Sequence, residues 1–214
     1  EEDARRYTRH YLQDFGPALG SGSTSAQQPR GGYEYLVEPG KIGKGLLGFG
    51  WYRRDWMSIT WPDDPSIGNI ETDVFDPATW KTEYPSPAFT QMDAADAFWA
   101  ASIMSRFSDA MIRGVVEEAR LTNPEATRYV ADVVIKRRDK TVRWGITRTN
   151  PLDRFEIRNG GAPELTFDNA AVRLRLVQQT PEYEVRWAPF DNKAGIAGAI
   201  RARLDTVQSR AAIP

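Results

Sequence analysis

The sequence predicts an α+β protein with an irregular N-terminal region, a three-helix middle and a small antiparallel sheet region at its C-terminal end. Apolar residues recur at helical spacing in the middle of the chain, whereas after Pro151 short segments alternate apolar with charged residues, as half-solvated strands do. The earlier part is rich in glycine, proline and aromatic residues. We therefore divide the chain into regions 1–89, 90–150 and 151–214.

The N-terminal region combines short β-like runs with segments that favour loops. Residues 7–12 (YTRHYL) predict a strand, and residues 33–37 (YEYLV) fit a strand or an extended arm. Between them, residues 20–32 are small and polar and predict a flexible surface loop. The glycines that recur from Gly40 to Gly50 disfavour a long helix, because each interior glycine costs about 1 kcal/mol relative to alanine.

Residues 51–89 form an aromatic segment interrupted by prolines. We expect an irregular wrap over a core that other segments supply, because large rings bury much area without regular structure. The same rings suit a partner-binding or sugar-stacking surface. The candidates for partner binding are Trp51, Tyr52, Trp56, Trp61 and Trp80.

The middle region predicts three helices joined by short links, which favours antiparallel packing. Thr90 and Asp93 have the spacing of a capping box, Ser108 suits the start of a second helix, and Asn123-Pro124 suits the start of a third. The expected bounds are Asp93 to Phe107, Ser108 to Leu121 and Pro124 to Thr147. The side chains expected inside are Phe98, Trp99, Ile103, Ile112, Val116, Val130 and Val134.

Three alternating segments after Pro151 predict the strands of one antiparallel sheet: 154–158, 172–177 and 183–187. Arg173 and Arg175 are expected to face solvent. The residues expected on the buried face are Phe155, Ile157, Leu174, Leu176, Tyr183, Val185 and Trp187. Residues 200–207 fit a strand and a helix equally well.

Composition excludes several classes of site and partner. The chain has no cysteine and a single histidine, His10, which excludes disulfides, thiolate metal sites and cysteine nucleophiles. The formal charge of -1 produces no global attraction to nucleic acid or anionic lipid, so we predict no nucleic-acid partner and only local binding surfaces. No apolar run approaches the roughly 20 residues of a transmembrane helix, and Ile42 to Trp51 is far too short.

Asp14-Phe15-Gly16 follows a β-like run and resembles the metal-binding segment of protein-kinase-like folds. The resemblance implies that Asp14 would hold Mg²⁺, a hard cation that takes oxygen ligands. A turn in which Asp14 bonds its own backbone is the competing interpretation. The Gly-rich loop, pairing lysine and HRD segment of that family have no counterpart in this chain, so we expect no cofactor, with Mg²⁺ as the alternative.

The strings RHYLQDFGPALGSGS, DAFWAASIMSRFSD, YVADVVIKRRDK and NPLDRFE are similar to an uncharacterised group of bacterial hypothetical proteins. The resemblance extends to about Glu156 and implies a helical region followed by a β-rich end. It also implies that this chain is the later part of a longer precursor. It supplies no substrate and no catalytic residue.

A basic stretch on the third predicted helix offers a second candidate surface. Lys136, Arg137 and Lys140 can cluster at 100° per residue and suit a phosphate or an acidic partner. A solvated or ion-paired helix face explains the same charges.

These observations leave two classes of function. One is a non-catalytic structural or binding module that docks into a larger assembly or onto a protein partner through its aromatic, glycine-rich region. The other is the metal-binding portion of a kinase-like phosphotransferase, which requires a nucleotide pocket beside Asp14. We favour the module and lean against an enzyme. The lack of cysteine fits an exported protein and a cytosolic one, so the compartment is unknown. An exported or periplasmic location is slightly favoured.

Overall fold

The computed structural model describes residues 16, 18–22, 24–159, 164–178 and 181–200, and the backbone of 202–207 and 210–212. It is 38% helical and 15% strand, which confirms the α+β class. The chain forms two compact units. Unit 1 comprises Glu1–Gln91 and Ser108–Arg138, and unit 2 comprises Met92–Phe107 and Asp139–Pro214. The three predicted regions describe the order of elements along the chain, and both units draw on more than one region.

The described helices are α1 Pro39–Leu47, α2 Pro87–Thr90, α3 Ala94–Met104, α4 Asp109–Glu117, α5 Pro124–Thr147 and α6 Ala170–Arg173. The described strands are β1 Leu152–Arg158, β2 Glu164–Asn169, β3 Tyr183–Trp187, β4 Phe190–Asp191, β5 Ile196–Ala197, β6 Ala202–Val207 and β7 Arg210–Ala212. Short 3₁₀ turns lie at Ala18–Gly20 and Asp55–Ser58. Helix α5 contributes residues to both units.

The predicted helices are confirmed, with differences at their ends. α5 has the predicted bounds, and the Ser108 side chain accepts a hydrogen bond from the Met111 N–H at the start of α4. The capping box of α3 is centred on Asp93 and not on Thr90, because the Asp93 carboxylate accepts from the N–H of Asp96 while Asp96 accepts from that of Asp93. α4 ends at Glu117, four residues before the predicted end.

The core of unit 1 lies between α4, the first part of α5 and the segment 67–70. Ile112, Val116 and Val130 are buried as predicted, and Val134 packs against the same cluster. The Tyr129 hydroxyl donates to the Ile70 carbonyl at 2.8 Å, which ties the segment to α5. The buried residues of this core are Ile67, Ile70, Ile112, Val116, Ala126, Val130, Ala131, Val133 and Ile135.

The core of unit 2 shows that the predicted inner face of α3 is wrong in part. Trp99 and Ile103 are 64% and 38% exposed, and the helix instead buries Ala97 and Ala101. A Cβ placed on Gly145 of α5 would lie 2.6 Å from the Ala101 Cβ. The two helices approach so closely that only small side chains fit between them, which leaves the large side chains outside. Phe98 remains half-buried against this core.

The strands form three small antiparallel sheets and not one, with orders β1-β2-β7, β3-β6 and β4-β5. The prediction of a strand at 172–177 is wrong, because the Asn169 side chain caps α6 by accepting from the Val172 N–H and the chain then turns. Leu174 and Leu176 still pack against the unit 2 core, while Arg173 and Arg175 are exposed.

Three further predictions about the strands have different outcomes. Phe155 and Ile157 are 58% and 64% exposed, so the predicted buried face of β1 is wrong. In β3 the predicted inward residues are half-buried and alternate with exposed ones. Residues 202–207 adopt the strand alternative and pair with β3.

The N-terminal region contains the nine-residue helix α1 in the segment where the glycines disfavour a long helix. α1 forms across Gly40, Gly43 and Gly45, and no strand is present at 33–37. The described part of the 20–32 loop is held by hydrogen bonds, including those from the Asn69 side chain and N–H to the carbonyls of Gln27 and Gly20. The predicted strand at 7–12 lies outside the described residues.

Candidate docking surface

Helix α1 presents Ile42 and Leu46 to solvent, and on its other side Lys41 reaches into unit 1 while Lys44 is exposed. At 100° per residue, Ile42 and Leu46 lie on one side of the helix, and Lys41 and Lys44 lie on the other. The Lys41 ammonium reaches inward to the Glu34 carboxylate at 3.2 Å, whereas Leu46 is 74% exposed. A surface helix normally packs its apolar stripe inward. α1 is reversed, because a buried acid holds its polar face.

That acid, Glu34, belongs to an ion-pair network. Glu34 is 5% exposed, and its second oxygen accepts from Arg54 Nη1 at 2.6 Å. Glu38, directly before α1, accepts from Lys81 Nζ at 2.6 Å and lies 3.5 Å from Lys41 Nζ. Burying a carboxylate is costly unless it is paired and hydrogen-bonded, so these cations are held where they are.

The same contacts lower the pKa of Glu38. Burial alone would raise the pKa of its carboxyl, but the hydrogen bonds from Lys81 and from the Tyr35 N–H, with the charge of Lys41, hold it below the ordinary value. Glu38 is therefore ionised at neutral pH. It keeps the start of α1 attached to the segment that carries Lys81.

Five large apolar side chains on and after α1 are exposed, and we call them the α1 surface: Ile42 (47%), Leu46 (74%), Leu47 (81%), Phe49 (90%) and Trp51 (92%). α1 buries none of its residues. Isolated exposed apolar residues are ordinary, but five of them within ten positions are the usual mark of an interaction surface.

The turn after α1 is unusual in its backbone. Phe49 adopts a φ of 45° and Gly50 a φ of 84°, both in the left-handed region. That conformation suits glycine but costs about 1 kcal/mol or more for a bulky residue. The Phe49 ring, at 90% exposure, gains little packing in return.

The structure separates the five predicted partner-binding aromatics. Trp51 is exposed, whereas Tyr52, Trp56, Trp61 and Trp80 are half-buried. The Trp80 ring lies 5.1 Å from that of Phe89 and closely against Gly32. The indole N–H of Trp56 is buried and has no hydrogen-bond partner among the residues that the structure describes. The aromatic residues that the sequence predicts for partner binding thus include the exposed Trp51 but not its exposed apolar neighbours on α1.

Arg137, one of the predicted phosphate-binding residues, is turned inward. Its Nε donates to the Glu71 carbonyl at 2.6 Å, Nη2 lies 3.6 Å from the Glu71 carboxylate, and the guanidinium covers the Phe75 ring at 4.3 Å. Lys136 and Lys140 are exposed on the same helix. The structure therefore does not bring Arg137 to an exposed patch with them, and phosphate binding by the two lysines stays a prediction.

The Glu71 carboxylate is almost fully buried and has several partners. It accepts from the Tyr33 hydroxyl and from the Val74 N–H. Burial, followed by the hydrogen bond to Glu71, raises the pKa of Tyr33 well above its ordinary value, so Tyr33 remains a donor. Burial lowers the pKa of Arg137, while Tyr33 and Glu71 act in the opposite direction. The cluster ties Tyr33, Glu71 and α5 together within unit 1.

Unit 2 contains a mainly apolar cavity of about 340 Å³. Its polar groups bond one another, since the Asn169 amide donates to the Tyr183 hydroxyl and the Asn169 carbonyl oxygen caps α6. The lining residues are Thr147, Thr149, Asn150, Pro151, Asn169, Ala171, Val177, Pro181 and Tyr183.

One site prediction from the sequence, Asp14 as a Mg²⁺ ligand, falls on residues 1–15. Asp14 and His10 lie outside the described residues, so the proposed Mg²⁺ ligand stays a prediction. Within the described part of the chain, no cluster of three or more acidic or histidine side chains has the arrangement of a metal site. In that same part, no helix has the length and apolar character needed to cross a bilayer.

Comparisons with protein-family models, with curated proteins and with solved structures found no match to this chain. The resemblance to bacterial hypothetical proteins and to kinase-like folds stays a prediction.

Proposed function

We propose that this chain is a non-catalytic binding module that docks into a larger assembly through the α1 surface. The observation that carries the proposal is the reversed orientation of α1. Its polar face holds Glu34, and Leu46, Leu47, Phe49 and Trp51 are 74–92% exposed. A helix anchored by buried charges and open on its apolar side is arranged to receive a partner.

The energetics support this proposal. Full burial of a large apolar side chain is worth roughly 1.5–3 kcal/mol. Burial of four such side chains by a partner would contribute roughly 6 kcal/mol at the low end of that range. This stabilisation is absent while the side chains are exposed to water. The three glycines of α1 and the left-handed Phe49 oppose the local structure by about 1 kcal/mol each. A docked partner would offset these costs, because it stabilises the conformation in which the side chains are presented together.

The charged groups next to α1 support a docking role over a catalytic one. The carboxylates of Glu34 and Glu38 are engaged by Lys41, Arg54 and Lys81. These pairs position α1 and leave both acids occupied. A general acid or base needs a group that is within reach of a substrate, whereas these carboxylates face the cations that hold the helix.

Photo-crosslinking in the cells that make the protein tests the proposal. A benzophenone amino acid replaces Leu47, which is 81% exposed on the α1 surface. The matched control carries it at Val115, which is 73% exposed on α4. We expect a discrete covalent adduct from position 47 and only background from position 115.

The adduct is analysed by mass spectrometry as protein or lipid, and either type supports docking through the α1 surface. Equal background at both positions would contradict the proposal. The Leu47 variant must retain the circular dichroism spectrum of the unmodified chain, which shows that a missing adduct does not reflect misfolding.

A further inference from the structure

We infer that the α1 surface docks on an anionic lipid membrane, with Phe49 and Trp51 inserted at the headgroup boundary. This inference rests on the proposed docking function and names the chemistry of the partner. The occupant is a bilayer surface, and the helix lies on it without spanning it. A protein partner with a matching apolar pocket is the competing occupant, and the experiment below separates the two.

The charge distribution around the α1 surface favours an anionic partner. Residues 39–54 contain four cations and no acid, and Lys44 and Arg53 among them are exposed. Adding Lys81, and the acids Glu34, Glu38 and Asp55, gives five cations against three carboxylates, a local formal charge of +2. The whole chain carries -1. The positive charge is therefore a property of this surface and not of the molecule at large.

The disposition of the apolar groups favours a bilayer over a protein pocket. Leu47, Phe49 and Trp51 are 81–92% exposed, so they protrude from the surface. A protruding group needs a pocket of matching shape on a protein but needs none in the fluid boundary between headgroups and acyl chains. Tryptophan is enriched at that boundary because its ring is apolar and its N–H remains hydrated.

The geometry of α1 matches that of an interfacial helix. Such helices carry lysine or arginine on one face and leucine, phenylalanine or tryptophan on the other, and they bury the apolar face to a shallow depth. α1 has Lys41 and Lys44 opposite Ile42 and Leu46, and its apolar face continues into the Phe49 turn. Because Lys41 is bound to Glu34, the helix is held with that face outward before it meets a membrane.

Vesicle binding by the whole chain tests the inference. Co-sedimentation is measured with vesicles of mixed phosphatidylglycerol and phosphatidylcholine and with vesicles of phosphatidylcholine alone. We expect binding to the mixed vesicles and much weaker binding to the neutral ones. Raising the salt until the Debye length is about 3 Å should weaken binding to the mixed vesicles.

Substitutions then locate the contact. Lys44→Ala combined with Arg53→Ala should weaken binding to mixed vesicles about 25-fold, since each cation near an anionic surface contributes about a factor of five. Brominated lipid should quench the tryptophan fluorescence of the wild type. Trp51→Phe should bind nearly as well and lose most of that quenching. Trp99→Phe is the matched control, because Trp99 is 64% exposed on α3, outside the α1 surface. This variant should keep the quenching by brominated lipid.

Three outcomes overturn the inference: no vesicle binding, equal binding to both kinds of vesicle, or quenching that survives Trp51→Phe. If vesicles are not bound while Leu47 still crosslinks to a protein in cells, the lipid inference fails and the docking function stands. If neither vesicles nor crosslinks are found, both fail.

Discussion

At the residue scale, buried charges decide which side chains are available for binding. Arg137 lies in a basic run that suits phosphate, yet it is committed to Glu71 and to the Phe75 ring. Lys41 is likewise committed to Glu34. In both cases a carboxylate almost without solvent contact requires a cation, because an unpaired charge is very costly in the interior. The availability of a basic side chain therefore depends on its distance from a buried acid.

Replacing Arg137 should destabilise unit 1. We expect Arg137→Ala to lower the free energy of unfolding by about 2–4 kcal/mol, because it leaves the Glu71 carboxylate with only the Tyr33 hydroxyl and the Val74 N–H. Lys136→Ala, one residue away and exposed, should change it by about 0.5 kcal/mol or less. Urea unfolding followed by circular dichroism compares the two, and equal midpoints would show that the Glu71 cluster is energetically unimportant.

At the scale of a single element, α1 shows that a helix can be anchored through its charges alone. It has no side-chain N-cap hydrogen bond and buries no residue. Its glycines lower its intrinsic stability, and the ion pairs of Lys41 and Glu38 compensate. The proposed docking function requires this helix to form. Its stability should be adjustable at positions whose side chains would contact no other residue.

Gly43 is such a position. A Cβ built on Gly43 has no heavy atom within 4 Å, so Gly43→Ala should stabilise α1 by about 1 kcal/mol without steric conflict. Amide hydrogen exchange of residues 42–47 should then slow about fivefold, to the extent that exchange occurs through opening of this helix. The control is Gly114→Ala, which is equally unobstructed in α4 and should slow exchange there and not in α1. Unchanged exchange in α1 would contradict the prediction.

At the scale of the whole molecule, the chain is organised as two compact units that each have a core. Unit 1 contains α1 with its ion pairs and the Glu71 cluster. Unit 2 contains the close approach of α3 to the second part of α5, where Gly145 faces Ala97 and Ala101. A defect in either core should therefore be expressed most strongly within its own unit.

Gly145→Ala tests that expectation. Unlike Gly43→Ala, which should stabilise the protein, it should lower the free energy of unfolding. The added Cβ would meet the Ala97 carbonyl oxygen and the Ala101 Cβ at 2.6 Å, both closer than van der Waals contact. We expect a loss of about 1–3 kcal/mol, the usual cost of overpacking. Hydrogen exchange in α3 should accelerate more than exchange in α4, which lies in unit 1. Equal acceleration in both helices would show that the cores do not respond separately.

The sequence by itself determined those elements whose local signals agree with one another. Asn123-Pro124 and a long apolar stripe predicted the bounds of α5, and the alternation of residues 183–187 predicted β3. Capping and periodicity act within a few residues, so they can be recognised without knowledge of the fold. The polar character of Asn169, which ended β2 and started α6, was a local signal that sequence reasoning missed.

Only the tertiary structure decided which side of a helix faces inward and which charges are buried. Periodicity locates an apolar stripe, but it does not show that α3 packs so closely against Gly145 that only Ala97 and Ala101 fit at the contact. Nor does it show that Glu34 binds Lys41 and so holds that side of α1 inward. Glu34 and Lys41 are seven residues apart, and Glu71 and Arg137 are 66 apart. The energy of such pairs depends on burial, which arises from the packing of distant segments. The candidate docking surface exists because the Glu34–Lys41 pair holds α1 with its apolar side out.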